Sequence, residues 1–508
     1  MFNKAKDFMI RRWLLIYCFL IGAAILLFCS KSSPLYPMND WVDVHCFLTL
    51  GKGMLHGLVP YVDLYEQKGP VLYFIYAIVA LFSNKSMFGQ YLLEVVTFGL
   101  FLYFSAKLAE IYLGRSKLIY PIIAVLAAVV ATTRSFQHGG SVEQMCLFLF
   151  IYGVYSVTKA CHESRPLTFR EACINGIFAG MALWIKYTML GFYLGLALFV
   201  LIWYLGWIRD WKKLLAVIEQ FLLGITVVTV IVLAYFLIAG GLNELFTCYF
   251  YNNIFLYPSE SDIPKSTQIW NSFRYAMQYN KIFPTFLYIG LGWLVLRTHK
   301  GVRDLIAVVL TFTGLVIGTY MGQGYVYYGL VLSAFTVYGL IAIAWALQQL
   351  KAETVFSKLT GGDPIVNGIL ITTFAILCTL WSFNNSDNTY LMHYDRDDLP
   401  QYQFADIIQE TENATLLNLG FLDGGFYHAA DVLPNCPYFC YFNINSPEMW
   451  KMQYEYIQEC KVDYIVTRHY RLEQYLHTSD YELVDTAEFY FEGINFPYYL
   501  YRLKGETK

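Results

Sequence analysis

Asp40, Asp43, Asp63, Glu66 and Lys68 crowd into one stretch after the first hydrophobic segment. They stand in Asn39-Asp40-Trp41-Val42-Asp43 and in Pro60-Tyr61-Val62-Asp63-Leu64-Tyr65-Glu66-Gln67-Lys68-Gly69-Pro70, with Gly51-Lys52-Gly53-Met54-Leu55-His56-Gly57 between them. An aspartate can take the proton of a reacting hydroxyl as a general base. A lysine can stabilise the negative charge on a leaving group. The plainer reading is that these side chains solvate a loop beside a membrane.

The elements that must hold them are mostly apolar. The chain has 508 residues, 57% of them hydrophobic and only 14% charged. A soluble protein of this length is not this apolar, so the class is a polytopic α-helical membrane protein. From Asp387 onward there are 20 Asp and Glu against 8 Lys and Arg, whereas the whole chain is at −3. That split implies a basic membrane domain, 1–383, followed by an acidic soluble domain, 384–508.

Eleven stretches are apolar and long enough for spans: 12–29, 88–112, 118–133, 141–160, 172–187, 190–207, 214–238, 281–297, 304–320, 325–348 and 364–383. The basic start (Lys4, Lys6, Arg11, Arg12) before Trp13–Cys29 reads as an uncleaved first helix. The connectors Arg115/Lys117, Lys159/Arg165/Arg170, Arg209/Lys212/Lys213, Arg297/Lys300/Arg303 and Lys351/Lys358 are basic, so they and the N-terminus are expected in the cytoplasm. Alternation then puts the 30–87 loop, the 134–140 loop, the 239–280 loop and the C-terminal domain outside. Pro70 to Ser83 is apolar but too short to span, and is expected in the interface or half inserted. The alternative is a twelfth span. A break is expected at Lys186-Tyr187-Thr188, and an aromatic-rich interfacial helix in 239–280.

In the tail, Ala414–Gly420, Val462–Thr467, Tyr481–Tyr490 and Pro497–Leu503 read as strands, and Glu448–Glu459 has helical spacing. A small extracytoplasmic α/β domain is expected. The eleven cysteines show no metal-ligand spacing. Cys436 and Cys440 lie close enough in sequence for a disulfide, with Cys460 nearby.

The first loop resembles that of the GT-C glycosyltransferases of the family 39, aminoarabinose-transferase and protein O-mannosyltransferase type. The resemblance rests on Asp43, Phe47, Gly51, Met54-Leu55 and Gly57, then Pro60-Tyr61-Val62-Asp63 and Lys68-Gly69-Pro70-Val71-Leu72-Tyr73. Many relatives read Lys-Pro-Pro-Leu-Tyr at the last position, so Gly69 is a departure. It keeps the lysine ahead of a proline and an apolar run. The match is tight over this loop and loose over the layout of the whole chain.

The resemblance implies a GT-C-like bundle of about eleven transmembrane helices with outer juxtamembrane helices. It implies transfer of a sugar from a polyprenyl-phosphate donor, with inversion, through an oxocarbenium-like transition state. Asp43 is then the base, and Asp40 either supports or replaces it, since a helical stretch would put both on one face. Lys68 would touch the donor phosphate. Asp63 and Glu66 would line the substrate.

The second outer loop ends in Ser141-Val142-Glu143. In the resembled family an acid begins the next span here, which implies a catalytic role for Glu143. The other reading is a helix start, where the dipole favours an acid. Lys186 is open to two readings as well, phosphate contact or snorkelling, with Tyr187 beside it. Tyr325, Tyr327 and Tyr328 fit an aromatic belt or sugar stacking. His138 with Glu143 and Asp43 could take a divalent cation, although no ligand spacing demands one.

Nothing in the sequence supports nucleic-acid binding, and no nucleotide fingerprint is present. The expected partners are a polyprenyl-phosphate sugar lipid, the membrane and a cell-envelope glycan, lipid or protein as acceptor. The expected place is a bacterial plasma membrane. The rival reading is a transporter or flippase of lipid-linked sugars. It would call for charges at mid-membrane and two related halves. A non-enzymatic envelope scaffold would leave the first loop unexplained.

Overall fold

The computed structural model describes residues 2–83, 85–257, 263–280, 282–351, 363–444, 446–491 and 494–505. Lys358, of the last basic connector, lies outside them. The molecule is a polytopic helical membrane protein with a small C-terminal sheet. Among the described residues, eight helices are long and apolar enough to cross a membrane: Arg12–Cys29, Phe88–Leu113, Val142–His162, Tyr187–Ile208, Trp211–Ala239, Gly301–Tyr320, Val326–Gln349 and Pro364–Asn385. Three further expected spans are helices of 13, 17 and 15 residues, Ile119–Ala131, Phe169–Ile185 and Ile282–Leu296. The helix Pro70–Ala80 has 11 residues. At a rise of about 1.5 Å per residue it is far shorter than the hydrocarbon core.

The chain divides into two compact units. The first comprises Met1–Ser33, Tyr91–Thr229 and Ser261–Tyr390. Its helices approach closely where glycines leave room. A side chain on Gly191 or Gly318 would strike the backbone of the opposing helix, so Leu190–Trp203 and Gly301–Tyr320 meet backbone to backbone. Each end of Val142–His162 is pinned by a polar contact. At its C-terminal end, His162 Nε2 lies 2.8 Å from Asp304, which also accepts from Tyr112 at 2.9 Å. Its N-terminal end carries Glu143 and is capped by Ser141, which accepts from the Gln144 amide. The next helix, Phe169–Ile185, opens on a capping box of Thr168 and Glu171.

The second unit comprises Pro34–Gln90, Val230–Glu260 and Leu391–Lys508. It therefore packs the first loop together with the acidic tail. The tail carries a four-stranded sheet of β1 (Leu416–Leu419), β2 (Tyr464–Arg468), β3 (Tyr481–Phe491) and β4 (Ile494–Leu503), in the order β1-β2-β4-β3. β1 and β2 are parallel, with Leu416 opposite Tyr464. β4 is antiparallel to both β2 and β3, with a bulge between Leu483 and Asp485. The helix Pro447–Gln458 lies against it, with Ile457 in a core with Leu417, Leu419, Val462 and Ile465. These elements follow the expected strands and helix closely. In the 239–280 segment, Leu245–Leu256 is π-helical and exposes Phe246, Tyr251 and Phe255.

Candidate active site

In the second unit, the helix Val42–Leu55 carries Asp43 in its first turn, half-buried. A carboxylate there is favoured by the helix dipole. Asp40 is buried but precedes the helix, whose N-cap is Trp41. Asn39 accepts from the Trp41 amide at 3.0 Å and turns the chain into the helix. Helical spacing therefore does not put Asp40 and Asp43 on one face, as the sequence suggested, because the helix starts between them.

Asp43 and Phe47 are four residues apart on that helix and share a face. The Lys68 ammonium lies over the Phe47 ring, 5.7 Å from its centroid. This is a favourable cation–π geometry, and it puts Lys68 beside the face that carries Asp43. The backbone of Lys68 is fixed from three sides. Its amide donates to Glu66 Oε2 at 2.7 Å, and its carbonyl accepts from Tyr73 at 2.9 Å and from Tyr61 at 2.5 Å. Tyr73 also donates a short hydrogen bond to Glu66. Glu66 is buried and spent on these contacts, with its other oxygen 3.9 Å from the Lys68 ammonium. Asp63 accepts from the Val59 amide at 2.7 Å and closes the preceding turn.

A second face of the same helix carries His45, Thr49 and Lys52, and it meets the tail. Thr49 donates to Asp423 at 2.7 Å, and Lys52 pairs with Asp431 at 3.1 Å. The His45 and His428 rings lie 5.9 Å apart. Gly425 has a φ of +93°, and a Cβ there would meet His45, so only glycine fits both the turn and the neighbour. Burial raises the pKa of Asp423 above the usual carboxylate range, against the pull of His45 and Thr49. Burial lowers both imidazoles, that of His428 far below its ordinary value. The tail also grips the loop through Tyr65, whose amide donates to the Pro437 carbonyl at 2.9 Å and whose ring packs on Tyr438 and Phe442.

In the first unit, Lys186 stands at the expected break. Phe169–Ile185 ends, Lys186 is extended, and a short turn over Tyr187–Met189 leads into Leu190–Trp203. Its ammonium lies 2.6 Å from Glu143 and 3.3 Å from the centre of the Tyr328 ring. Glu143 is 1% exposed. Tyr187 is half-buried beside this pair, and Tyr325 is exposed and stacks on Tyr327. Glu94, buried and bonded to Gln144 at 3.2 Å, lies on the neighbouring helix and had no signal in the sequence beyond its charge in an apolar run.

The expected residues thus fall into two clusters. Asp43, Lys68, Glu66 and Asp63 are joined in one unit, and Glu143, Lys186, Tyr187 and Tyr325 in the other. Each cluster offers a carboxylate and an ammonium. Among the described residues, no group of three or more His, Cys, Asp or Glu side chains is placed to hold a metal ion.

No family model matches the sequence, and no curated protein is matched by it. Solved structures are. ArnT from Cupriavidus metallidurans bound to undecaprenyl phosphate superposes with a TM-score of 0.58 at 11% identity, covering 96% of this chain and 98% of that one. The same protein in its apo state gives 0.60 at 12% identity, covering 95% and 97%. The oligosaccharyltransferase of Archaeoglobus fulgidus in its apo form gives 0.53 at 14% identity, covering 90% of this chain and 69% of that one. The likeness runs through nearly the full length of both chains in the first two cases, and the chain has the GT-C fold.

Proposed function

We propose that this chain is a membrane glycosyltransferase that moves a sugar from a polyprenyl-phosphate-linked donor to a cell-envelope acceptor. The acceptor would be a glycan, a lipid or a protein outside the cytoplasm. Asp43 takes the proton of the acceptor hydroxyl as the sugar–phosphate bond opens, with inversion at the sugar carbon. Lys68 binds the donor phosphate and offsets the charge that grows on it as it leaves. Lys186 and Glu143 form a second charged pair for the donor lipid or for the shape of the bundle. In this reading residues 1–383 form the membrane domain and 384–508 lie on the outer face, with the N-terminus in the cytoplasm of a bacterial cell.

The observation that carries the reading is the Lys68 ammonium over Phe47, one helical turn from Asp43 on the same helix. That arrangement occurs in a fold shared with a protein bound to undecaprenyl phosphate. A base and a phosphate-binding cation are what transfer from such a donor requires. The buried contacts of Glu66 and Asp63 make them positioning residues for Lys68 and for the turn before it.

The test uses purified protein in nanodiscs and a panel of polyprenyl-phosphate sugars. One sugar lipid is expected to raise the melting temperature of the wild type, and the rise is expected to shrink in Lys68→Ala. Folded protein that answers to none of the lipids would contradict the donor class and favour a transporter for a different cargo.

A further inference from the structure

Cys46 lies on the helix Val42–Leu55, and Cys440 lies in the tail segment that grips Tyr65. They are 394 residues apart in sequence, yet their sulfurs are 4.0 Å apart. Both are buried. Cys46 is three residues beyond Asp43 and one beyond His45. It sits between the face that carries the candidate base and the face that meets the tail. Cys436, which the sequence offered as the partner of Cys440, instead turns its thiol to the Tyr438 carbonyl at 3.5 Å and packs in the core beside the sheet.

The contacts around the pair hold it in register. The Cys440 carbonyl accepts from Gln453 at 3.1 Å, while Tyr65 fixes the adjoining backbone at Pro437. Thr49 and Asp423 fasten the same helix one turn further on. Two sulfurs at this separation need to close by about 2 Å to reach a bond length near 2.05 Å.

We propose that Cys46 and Cys440 form a disulfide in the mature protein, fastening the helix that carries Asp43 to the C-terminal domain. The inference rests on the placing of that domain outside the cytoplasm, where disulfides persist. It is independent of the role given to Asp43. The chemistry is thiol–disulfide exchange with an oxidised dithiol carrier. One thiolate attacks a sulfur of the carrier's disulfide and gives a mixed disulfide. The second thiolate attacks the cysteine sulfur of that mixed bond. The Sγ–Sγ bond forms, and the carrier leaves as a dithiol with the two electrons and the two thiol protons. Burial raises the pKa of both thiols, so the closed site reacts slowly. The bond therefore forms while the helix and the tail are still docking. Once formed, it is shielded from reductants.

The experiment is a thiol map of the full chain. Intact cells are quenched in acid, the protein is denatured with an alkylating agent, and the peptides are analysed by mass spectrometry. A linked peptide containing Cys46 and Cys440, lighter by two hydrogens than the two thiol peptides together, is expected. Cys46→Ala and Cys440→Ala should each abolish it and lower the melting temperature by the same amount as the double variant. Alkylated Cys46 and Cys440 in the wild type, or a Cys436–Cys440 link, would overturn the proposal without the need for any variant to fold. Cys460 is exposed and reports the side of the membrane separately. If a membrane-impermeant maleimide labels it from outside while Cys46 and Cys440 are free thiols, the disulfide fails and the orientation stands. If it is not labelled and both thiols are free, both fail.

Discussion

The ammonium of Lys186 lies 2.6 Å from the carboxylate of Glu143, and both side chains are largely withdrawn from solvent. Each residue had a separate role open to it in the sequence, one toward phosphate and one toward acid chemistry. The structure joins them, with Tyr328 under the ammonium. Removing one partner of such a pair leaves the other charge buried and uncompensated, at a cost of about 3–5 kcal/mol.

Glu143→Ala and Lys186→Met are therefore each expected to lower the melting temperature sharply. The double variant should recover much of the loss. A double-mutant cycle by thermal denaturation in detergent checks this. Effects that simply add would mean that the two side chains do not support each other.

Lys68 is held by its backbone, and its ammonium lies over Phe47 and 3.9 Å from Glu66. Lys68→Met should raise the KM for a polyprenyl-phosphate sugar, and it should also lower the melting temperature, because buried Glu66 loses that ammonium. Tyr73→Phe should act on stability first, because it strips a donor from buried Glu66 and from the Lys68 carbonyl. Its stability cost is expected at about 1–3 kcal/mol. Steady-state kinetics beside melting curves separate the two.

Gly51 faces the backbone of Tyr76, where the Pro70–Ala80 helix crosses the helix that carries Asp43. Gly51→Ala should push the two helices apart and cost about 1–3 kcal/mol. A drop in melting temperature with a fall in transfer activity is expected, since the first helix carries Asp43 and the second begins two residues after Lys68. Unchanged stability would contradict the close approach.

His428 is buried, and among the described residues neither of its ring nitrogens has a hydrogen-bond partner. Lys52, His45 and Arg396 all oppose a positive charge on it. Its pKa is lowered in the folded chain, whereas the unfolded chain protonates near 6.5. As the pH falls through that value the unfolded state takes up protons that the folded state refuses, so stability falls. His45 acts in the same direction. Asp423 acts in the other: its raised pKa adds stability at low pH that is lost as the pH rises through the raised value. The melting temperature of the wild type should decline as the pH drops below neutral, and His428→Gln should decline less steeply. Parallel curves would contradict the neutral buried imidazole.

Much of the fold was legible in the sequence because its signals are local. Apolar runs, the strand patterns of the tail and the break at Lys186 all depend on neighbouring residues. The face of His45, Thr49 and Lys52 went unread, and so did what it meets. Asp423 and Asp431 are 374 and 379 residues away from their partners, and spacing within a helix names a face without naming its neighbour. The same holds for Cys46 and Cys440. Glu66 looked like a substrate ligand because its charge stands in the loop. Only the fold brings Tyr73 back to it, one turn into the next helix. Asp40 was grouped with Asp43 on the assumption of a helix that in fact begins at Val42.

The role of Asp43 as the base is tested most directly by the transfer rate of Asp43→Asn, compared with the wild type, on the sugar lipid that stabilises the protein. The variant keeps the shape of the side chain and its place in the first helical turn. Its melting temperature and its stabilisation by the lipid are expected to stay close to those of the wild type. Its turnover is expected to fall by about 10²–10⁴, the range that a lost general base accounts for. A folded, lipid-binding Asp43→Asn protein that transfers sugar at the wild-type rate would contradict the assignment.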